Sequence, residues 1–517
     1  MKKIFQYPLV LLFITVSSCS STRNGAAVKD NGKIDIRFVQ INDVYEIAPL
    51  EEGKTGGMAR VATVKKDNLA KNPNTFLVMA GDFLSPSVYN SLKYEGKRIR
   101  GRQMVETMNT AGTDIAVFGN HEFDISESEL ESRINESAFR WISSNTFHRK
   151  GNELLPFVKN GPGAGTAFPE TYIMSVKDAD GTTARIGFIG LTLPFNKAPY
   201  VGYTDALTVA QTLYNRIKDS CDAVVAITHQ SMDDDITLAK AIPGLAMILG
   251  GHEHDMRFDK VGNVYITKAH ANARSAYIIK LRINTRNHTL RVRPSLKMID
   301  ESVAADSATD LVVKKWTDIA EKNYASLGFD ARKVVMHSGE PLDGRETQIR
   351  TGTTTLTTLI IKAMQKAAPL ADVVLINSGS IRVDDILRMP VTQYDIIRTL
   401  PFGGSIMEVD MKGSLLTRIL DAGKRNIGIG GFLQHSPELL SDAVTGAWSL
   451  KNIAVDPAKT YKVAITDFLM TGGEANMEFL TKDNPDIVKV YPVFTDLNDP
   501  RSDVRLAIIR YLEKLQQ

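Results

Sequence analysis

The sequence predicts a two-domain α/β protein: a larger N-terminal domain over residues 34–300, a linker helix over 301–330 and a smaller mixed α/β domain over 331–517. Three observations predict this. Short continuous apolar runs alternate with amphipathic stretches through the first region, the pattern of strands covered on both faces of a sheet. A charged amphipathic segment, Asp310-Leu311-Val312-Val313-Lys314-Lys315-Trp316, then separates that region from a second set of apolar runs. The length of 517 residues, at roughly 150 per domain, also calls for more than one core.

Taken in order, the chain begins with Met1-Lys2-Lys3, a short apolar stretch from Pro8 to Ile14, and Ser17-Ser18 before Cys19. This is the three-part layout of a secretory signal, and the apolar run is too short to span a bilayer. Val16-Ser17-Ser18-Cys19 resembles the lipobox of bacterial lipoproteins, which implies cleavage after residue 18, lipidation of Cys19 and an export-dependent anchor in the bacterial envelope. Residues 20–33 are small and polar and read as a tether. With Cys19 taken by lipid, Cys221 is left as a lone thiol and no disulfide is expected. Lys and Arg number 62 against 59 Asp and Glu, a net charge of +3 that argues against general nucleic-acid binding. No obligate protein partner is expected either.

The strands of the first domain are read at Ile36–Ile41, Thr75–Ala80, Ile115–Phe118, Ile186–Leu191, Ala223–Thr228 and Ala246–Leu249. Polar residues follow these runs in a recurring way. Asn42-Asp43 comes after the first, Gly81-Asp82 after the second, and Gly119-Asn120-His121-Glu122-Phe123-Asp124 after the third. His229 follows Thr228, and Gly250-Gly251-His252-Glu253-His254-Asp255 follows Leu249. Carboxyl ends of strands in an open α/β sheet converge on one crevice. A lone Asp in such a place is usually a helix cap, and a lone His a satisfied polar residue. Four of the nine histidines, however, fall in these loops in step with the strands. The conjunction indicates one shared cation site of imidazoles and carboxylates, suited to Zn, Mn, Fe or similar ions. His270 and His288 are left as ordinary residues.

These motifs, and the Gly119–Asp124 run above all, resemble those of the calcineurin-like metallophosphoesterases, and their order and spacing resemble the 5′-nucleotidases in particular. The resemblance implies a four-layer α/β/β/α sandwich for the first domain. It implies two divalent metal ions bridged by Asp82, one also held by Asp43 and His254, the other by Asn120, His229 and His252. It further implies in-line attack on phosphorus by a metal-bound water or hydroxide, with paired cations polarising the phosphoryl oxygens. His121 is implied to stabilise developing charge and assist the leaving group, oriented by Asp124. The family has Asp-x-His after the first strand where this chain reads Asp43-Val44-Tyr45. Tyr45 as a phenolate ligand would favour a harder ion such as ferric iron; the expectation is instead that it packs beside the site, with Asp43, Asp82, His254 and water completing the ligands of that ion.

In the second domain, strands are read at Val373–Ile376 and Tyr461–Ile465. Asn377-Ser378-Gly379-Ser380-Ile381-Arg382 follows the first, and Gly and Pro bracket Phe402 and Phe468 in turns, which favours exposed rings able to stack a planar base. These segments resemble the substrate-reading motifs of the 5′-nucleotidase C-terminal domain. The resemblance implies that Phe402 and Phe468 clamp a nucleobase, that Asn377, Arg382 and Arg350 contact the nucleotide, and that Glu474 stands where an Asp contacts ribose. Ser380 in place of Gly and Glu474 in place of Asp depart from the pattern. The resemblance thus implies an exported phosphohydrolase acting on nucleoside 5′-monophosphates. A 2′,3′-cyclic-nucleotide phosphodiesterase with 3′-nucleotidase activity and a nucleotide-sugar pyrophosphatase share the same metal motifs. A nucleotide-binding lipoprotein with a decayed site is the alternative of a different class.

Overall fold

The computed structural model describes residue 1 and residues 30–161, 165–195 and 198–516. The signal segment, Cys19 and most of the tether lie outside the described residues. Among the described residues no helix is long and apolar enough to cross a membrane.

The first domain contains two six-stranded mixed sheets. In chain order its main elements are β1 (Lys33–Ile41), α1 (Met58–Lys71), β2 (Thr75–Ala80), α2 (Arg102–Ala111), β3 (Ile115–Val117), α3 (Glu127–Glu136) and β4 (Arg140–Trp141). There follow β5 (Thr171–Lys177), β6 (Thr183–Thr192), α4 (Ala206–Ile217), β7 (Ala223–His229), α5 (Met232–Ala241), β8 (Met247–Gly251), β9 (Arg257–Val261), β10 (Val264–Lys268), β11 (Ser275–Asn284) and β12 (Thr289–Met298). One sheet has the order β12-β11-β1-β2-β3-β4, the other β5-β6-β7-β8-β10-β9. The parallel strands are β1, β2, β3 and β4 in the first sheet, running out to its β4 edge, and β6, β7, β8 and β10 at the centre of the second.

The two sheets pack face to face. Ile34, Ile36, Phe38, Val78 and Val117 of one meet Ile186, Phe188, Val225, Ile227 and Leu249 of the other. Phe38 and Phe188 touch edge to face with ring centres 6.0 Å apart. The alternate residues face outward onto helices. Val39, Ile41, Leu77 and Met79 pack on Met58, Val61, Met104 and Met108 of α1 and α2. Val224, Ala226 and Ile248 pack on Ala210, Leu213 and Leu238 of α4 and α5. Every residue of β7 is therefore buried. That is why the strand reads as an unbroken apolar run: side chains alternate between two apolar layers instead of between core and water. The architecture is the expected α/β/β/α sandwich. A three-stranded insertion at Thr146–Lys150, Glu153–Leu155 and Val201–Tyr203 was not foreseen from the sequence.

Helix α6 (Ser307–Ser326) falls inside the linker region. Asp306 caps its start by accepting from the Thr309 backbone N–H, and Thr309, Val313, Trp316, Ala320 and Tyr324 form its buried stripe. Trp316 Nε1 donates to Glu106 of α2 at 3.1 Å. The second domain contains α7 (Thr355–Ala367), β13 (Val373–Asn377), α8 (Gln393–Thr399), β14 (Ile406–Lys412), α9 (Gly413–Arg425), β15 (Leu433–His435), β16 (Thr460–Thr466), β17 (Ile487–Val490) and α10 (Val504–Leu515). Its sheet has the order β15-β13-β16-β14-β17. Helix α7 covers one face through Leu356, Ile360 and Met364, and α9 covers the other through Leu415, Leu416 and Ile419. One apolar cluster runs from α1 and α2 through Trp316 and Tyr324 to α7 and α10, so the linker helix is packed against both domains.

Candidate active site

The parallel strands end on one edge, and the five polar loops meet there. Asp43 directly follows Asn42 at the end of β1, Asp82 follows β2, Asn120 and His121 follow β3, His229 closes β7, and His252 follows β8. Asp43, Asp82 and His252 hold positive φ values of 52°, 56° and 87°. Non-glycine residues in that left-handed region cost of order 1–3 kcal/mol and persist where the surroundings enforce them. The loops are also crowded. A Cβ on Gly119 would lie 2.1 Å from Asp82 Oδ1, and one on Gly81, whose φ is 82°, would lie 2.6 Å from His229 Nδ1.

Ligand atoms of Asp43, Asp82 and His229, all three side chains buried, lie within 4.8 Å of one another. His229 Nε2 is 3.1 Å from Asp82 Oδ2 and 3.8 Å from Asp43 Oδ1. His229 Nδ1 is 2.8 Å from the carbonyl oxygen of Ala80. A carbonyl only accepts, so Nδ1 carries the hydrogen and Nε2 of the neutral ring offers its lone pair to the carboxylates' side of the site, where a cation would sit. Both His229 Nε2 and Asn120 Oδ1 are buried without a hydrogen bond. Two ligand-type atoms orphaned beside two buried carboxylates fit a bound cation, since buried polar atoms are otherwise almost always paired. Burial pushes His252 down to about 3, keeping its imidazole neutral. Its ring centre is 5.5 Å from that of His229.

On the other side of Asp43, His254 Nε2 lies 3.6 Å from Asp43 Oδ1. Between them stands Tyr45. Its hydroxyl is 3.1 Å from Asp82 Oδ2, 3.0 Å from His254 Nε2 and 3.5 Å from Asp43 Oδ1. The expectation that Tyr45 packs beside the site is corrected here, because its oxygen points into the centre of the Asp43–Asp82–His254 set. The register explains it: with Asp43 in the left-handed conformation, the residue two positions on is carried back over the strand end.

His121 Nδ1 is 2.7 Å from Asp124 Oδ2, and the His121 backbone N–H donates to Asp82 Oδ1 at 2.8 Å. Although burial opposes it, the charges of Asp124 and Asp82 raise the His121 pKa and favour the imidazolium. Glu122, between them in sequence, had no assigned role. Its buried carboxylate accepts from four backbone N–H groups: Gly119 at 2.5 Å, Asp82 at 2.9 Å, Phe83 at 2.7 Å and Leu84 at 3.0 Å. Lys268 was also unforeseen. Fully buried, it donates to the Gln230 carbonyl at 2.6 Å and pairs with Glu253 at 2.5 Å and Asp235 at 2.9 Å, tying the His229 loop to the His252–His254 loop.

Of the second domain's predicted residues, Arg382 reaches this edge directly. Arg382 Nη2 lies 3.3 Å from Asp124 Oδ2, and its guanidinium is 5.7 Å from the Phe402 ring centre. Phe402 and Phe468 are 54% and 44% exposed, so neither ring belongs to the core. Their loops are held together, since Ser405 and Asp467 exchange hydrogen bonds at 3.1 Å. Asn377 Nδ2 donates to Glu474 Oε2 at 2.6 Å, and Asn377 Oδ1 accepts from Ser380 Oγ at 2.6 Å. Arg350 is buried and paired with Glu346 at 2.5 Å. The Nε atoms of Arg350 and Arg382 are buried and make no hydrogen bond, leaving donor capacity for an anionic ligand. The sequence reading also missed Asp384, which pairs with His254 across the domain boundary.

Residues 36–256 match the calcineurin-like phosphoesterase family model, and residues 334–481 match the 5′-nucleotidase C-terminal domain. Among curated proteins, the chain is 23% identical over 515 aligned residues to the trifunctional nucleotide phosphoesterase protein YfkN of Bacillus subtilis (strain 168). That match covers 87% of this chain but only 32% of the longer relative. It is 22% identical to the snake venom 5′-nucleotidase of Crotalus adamanteus, covering 90% of this chain and 85% of that one. Among solved structures, the fold is similar to a 5′-nucleotidase precursor from Thermus thermophilus with a TM-score of 0.67, at 21% identity over 93% of this chain and 97% of that one. With both domains matched in the order of the 5′-nucleotidases, and with the metal-site geometry above, this chain belongs to the 5′-nucleotidase family of calcineurin-like metallophosphoesterases, which are hydrolases.

Proposed function

We propose that this protein is an exported, lipid-anchored, dinuclear-metal phosphohydrolase that removes phosphate from nucleoside 5′-monophosphates. The observation that carries the reading is the meeting of the domains. Arg382, on the loop beside the exposed Phe402 ring, reaches the carboxylate that orients His121. A base stacked on Phe402 and Phe468 would thus be held a short span from the Asp43–Asp82–His229 cluster.

Two divalent cations, when bound, polarise phosphoryl oxygens and lower the pKa of a water. Asp82 would bridge the pair. Asp43 and His254 would complete one set of ligands, and Asn120, His229 and His252 the other. The chain's own groups do the rest. The Nδ1–H of His121 donates to Asp124, so in the imidazolium Nε2 carries the proton that stabilises and protonates the departing alkoxide. Arg382 and Arg350 offer unpaired N–H donors to the anionic substrate. Asn377 fixes Glu474, whose carboxylate is set to accept from ribose hydroxyls. Export and anchoring rest on the Cys19 motif.

The test is phosphate release from AMP with added Mn²⁺, run beside 2′,3′-cyclic AMP and UDP-glucose. The reading expects AMP to be the best substrate. Opening of the cyclic nucleotide to a 2′- or 3′-monophosphate, or cleavage of UDP-glucose to UMP and glucose 1-phosphate, each followed by chromatography of the products, without phosphate release from AMP would overturn it in favour of the corresponding phosphodiesterase or pyrophosphatase.

A further inference from the structure

We propose that Asp384, on the second domain, is a positioning residue for His254, so that cation binding at the Asp43–Asp82–His254 set depends on the docking of the two domains. The inference rests on the metal-site reading above. His254 sits in the loop after β8 of the first domain, with Nε2 facing the Tyr45 hydroxyl and Asp43. Its other nitrogen, Nδ1, is in hydrogen-bond contact with Asp384 Oδ2. An ionised carboxylate only accepts, so Nδ1 carries a hydrogen, and in the neutral ring that a cation requires the lone pair lies on Nε2, directed at the site.

The comparison with His229 shows what is unusual. That histidine is oriented in the same manner, but by the Ala80 carbonyl of its own domain. It is ready to bind whatever the second domain does. His254 has no such internal acceptor among its described contacts and takes one from across the boundary.

Asp384 is itself held firmly. Its backbone is left-handed, with φ of 36°, and its Oδ1 accepts from the Glu346 N–H. Its neighbours dock the same loop onto the first domain at two further points. Arg382 pairs with Asp124 at 3.3 Å, and Asp385 pairs with Arg274 at 2.5 Å while also facing Arg398 of α8 at 3.4 Å. Undocking removes the acceptor from Nδ1 and frees the ring to rotate and change tautomer. By linkage, a cation that prefers the oriented His254 stabilises docking by the same free energy with which docking strengthens its binding. An enzyme so built loads one of its two ions fully only when the substrate-reading loops are in place.

The experiment is a Mn²⁺ titration of the chelated, full-length wild type, Asp384→Ala and Asp384→Asn, followed by calorimetry. The wild type is expected to bind two ions. In Asp384→Ala one of them weakens 10–100-fold, the range seen when the orienting partner of a metal-bound histidine is removed, and the other is unchanged. Asp384→Asn shows a smaller loss, because the amide oxygen still accepts from Nδ1. In a His254→Gln background, Asp384→Ala produces no further change. An interdomain ion pair of merely structural importance would lower the melting temperature of the chelated variant and leave both affinities alone, and that result overturns the proposal. Wild-type protein that binds no Mn²⁺ would remove the metal-site reading itself and the proposal with it. Should Asp384→Ala fail to fold, the Asp384→Asn titration decides alone.

Discussion

Glu122 holds the turn on which the site is built, and its replacement by glutamine should be far more damaging than a change of one charge on the surface. The carboxylate gathers four backbone N–H groups from two loops, those of Gly119, Asp82, Phe83 and Leu84. A carboxamide of the same shape has one oxygen to accept and one NH₂ that meets N–H groups head on. At least two of the four bonds are lost, and the survivors lose the assistance of the charge. Hydrogen bonds to charged groups contribute about 1.5–3 kcal/mol each, so two losses give a destabilisation of at most about 3–6 kcal/mol, part of it offset because burial and the charge of Asp82 push the Glu122 pKa up to about 7. For a domain of this size, a loss of about 3 kcal/mol corresponds to a fall in melting temperature of roughly 6–12 °C. One oxygen accepts from Asp82 and Gly119 and the other from Phe83 and Leu84, so either orientation of the amide frees donors in the Asp82–Leu84 turn; the left-handed turn that aims Asp82 should therefore also relax, and metal affinity should fall with stability. Scanning calorimetry of chelated wild type and Glu122→Gln, followed by a Mn²⁺ titration, measures both. A melting temperature within about 2 °C of wild type, well below that range, with unaltered Mn²⁺ affinity would refute the reasoning.

Other outcomes follow from single contacts. His121→Ala should lower turnover of AMP by roughly 10²–10⁴ while both ions remain bound, and unchanged turnover would exclude an acid or electrostatic role. Phe468→Ala should weaken the enzyme's use of AMP by about 1–3 kcal/mol in kcat/KM and spare a phosphate ester without a base; equal losses would reject the stacking of a nucleobase. Glu46, buried and bonded to Tyr394 across the domain boundary, is pushed up to about 7 by burial, outweighing that bond and the charge of Arg398. Its folded pKa exceeds its unfolded value of 4.5, so the folded state binds the extra proton and stability declines as pH rises from about 4.5 through 7. Glu46→Gln, which mimics the protonated form and still accepts from Tyr394, should therefore be more stable than wild type at about pH 8, by at most about 3 kcal/mol. The advantage should vanish at about pH 5, and a variant less stable than wild type at the higher pH would reverse the sign and sink the argument.

Much of the site was legible because strand periodicity and loop chemistry point the same way. The run Ala223–Thr228 is apolar on both faces, which demands a layer on each side, and the structure supplies one through Val225 and the other through Val224. Once such strands are parallel, the residues after them must share an edge, and Asp43, Asp82, Asn120, His229 and His252 do. The exposure of Phe402 and Phe468 was likewise readable, from the Pro and Gly residues around them. What escaped the sequence depends on contacts between distant segments. Glu122 reads as one more acid in a loop, and only the paths of two turns reveal four N–H groups converging on it. Lys268 lies at the end of β10 with no local hint that a cation should be buried there. Asp384 is two residues from Arg382, yet its target is 130 positions away on another domain. Tyr45 was misjudged because a left-handed residue at Asp43 redirects the chain, and nothing in Asp43-Val44-Tyr45 announces that conformation.

The central claim is that the residues converging on Asp43 and Asp82 bind two metal ions and turn over a nucleotide. It is tested most directly by measuring metal content and phosphate release from AMP on one sample of the purified full-length chain. The account predicts two divalent ions per chain, phosphate release that disappears on chelation, and its return with Mn²⁺. A protein that neither binds metal nor releases phosphate from any nucleotide after Mn²⁺ is supplied would contradict it.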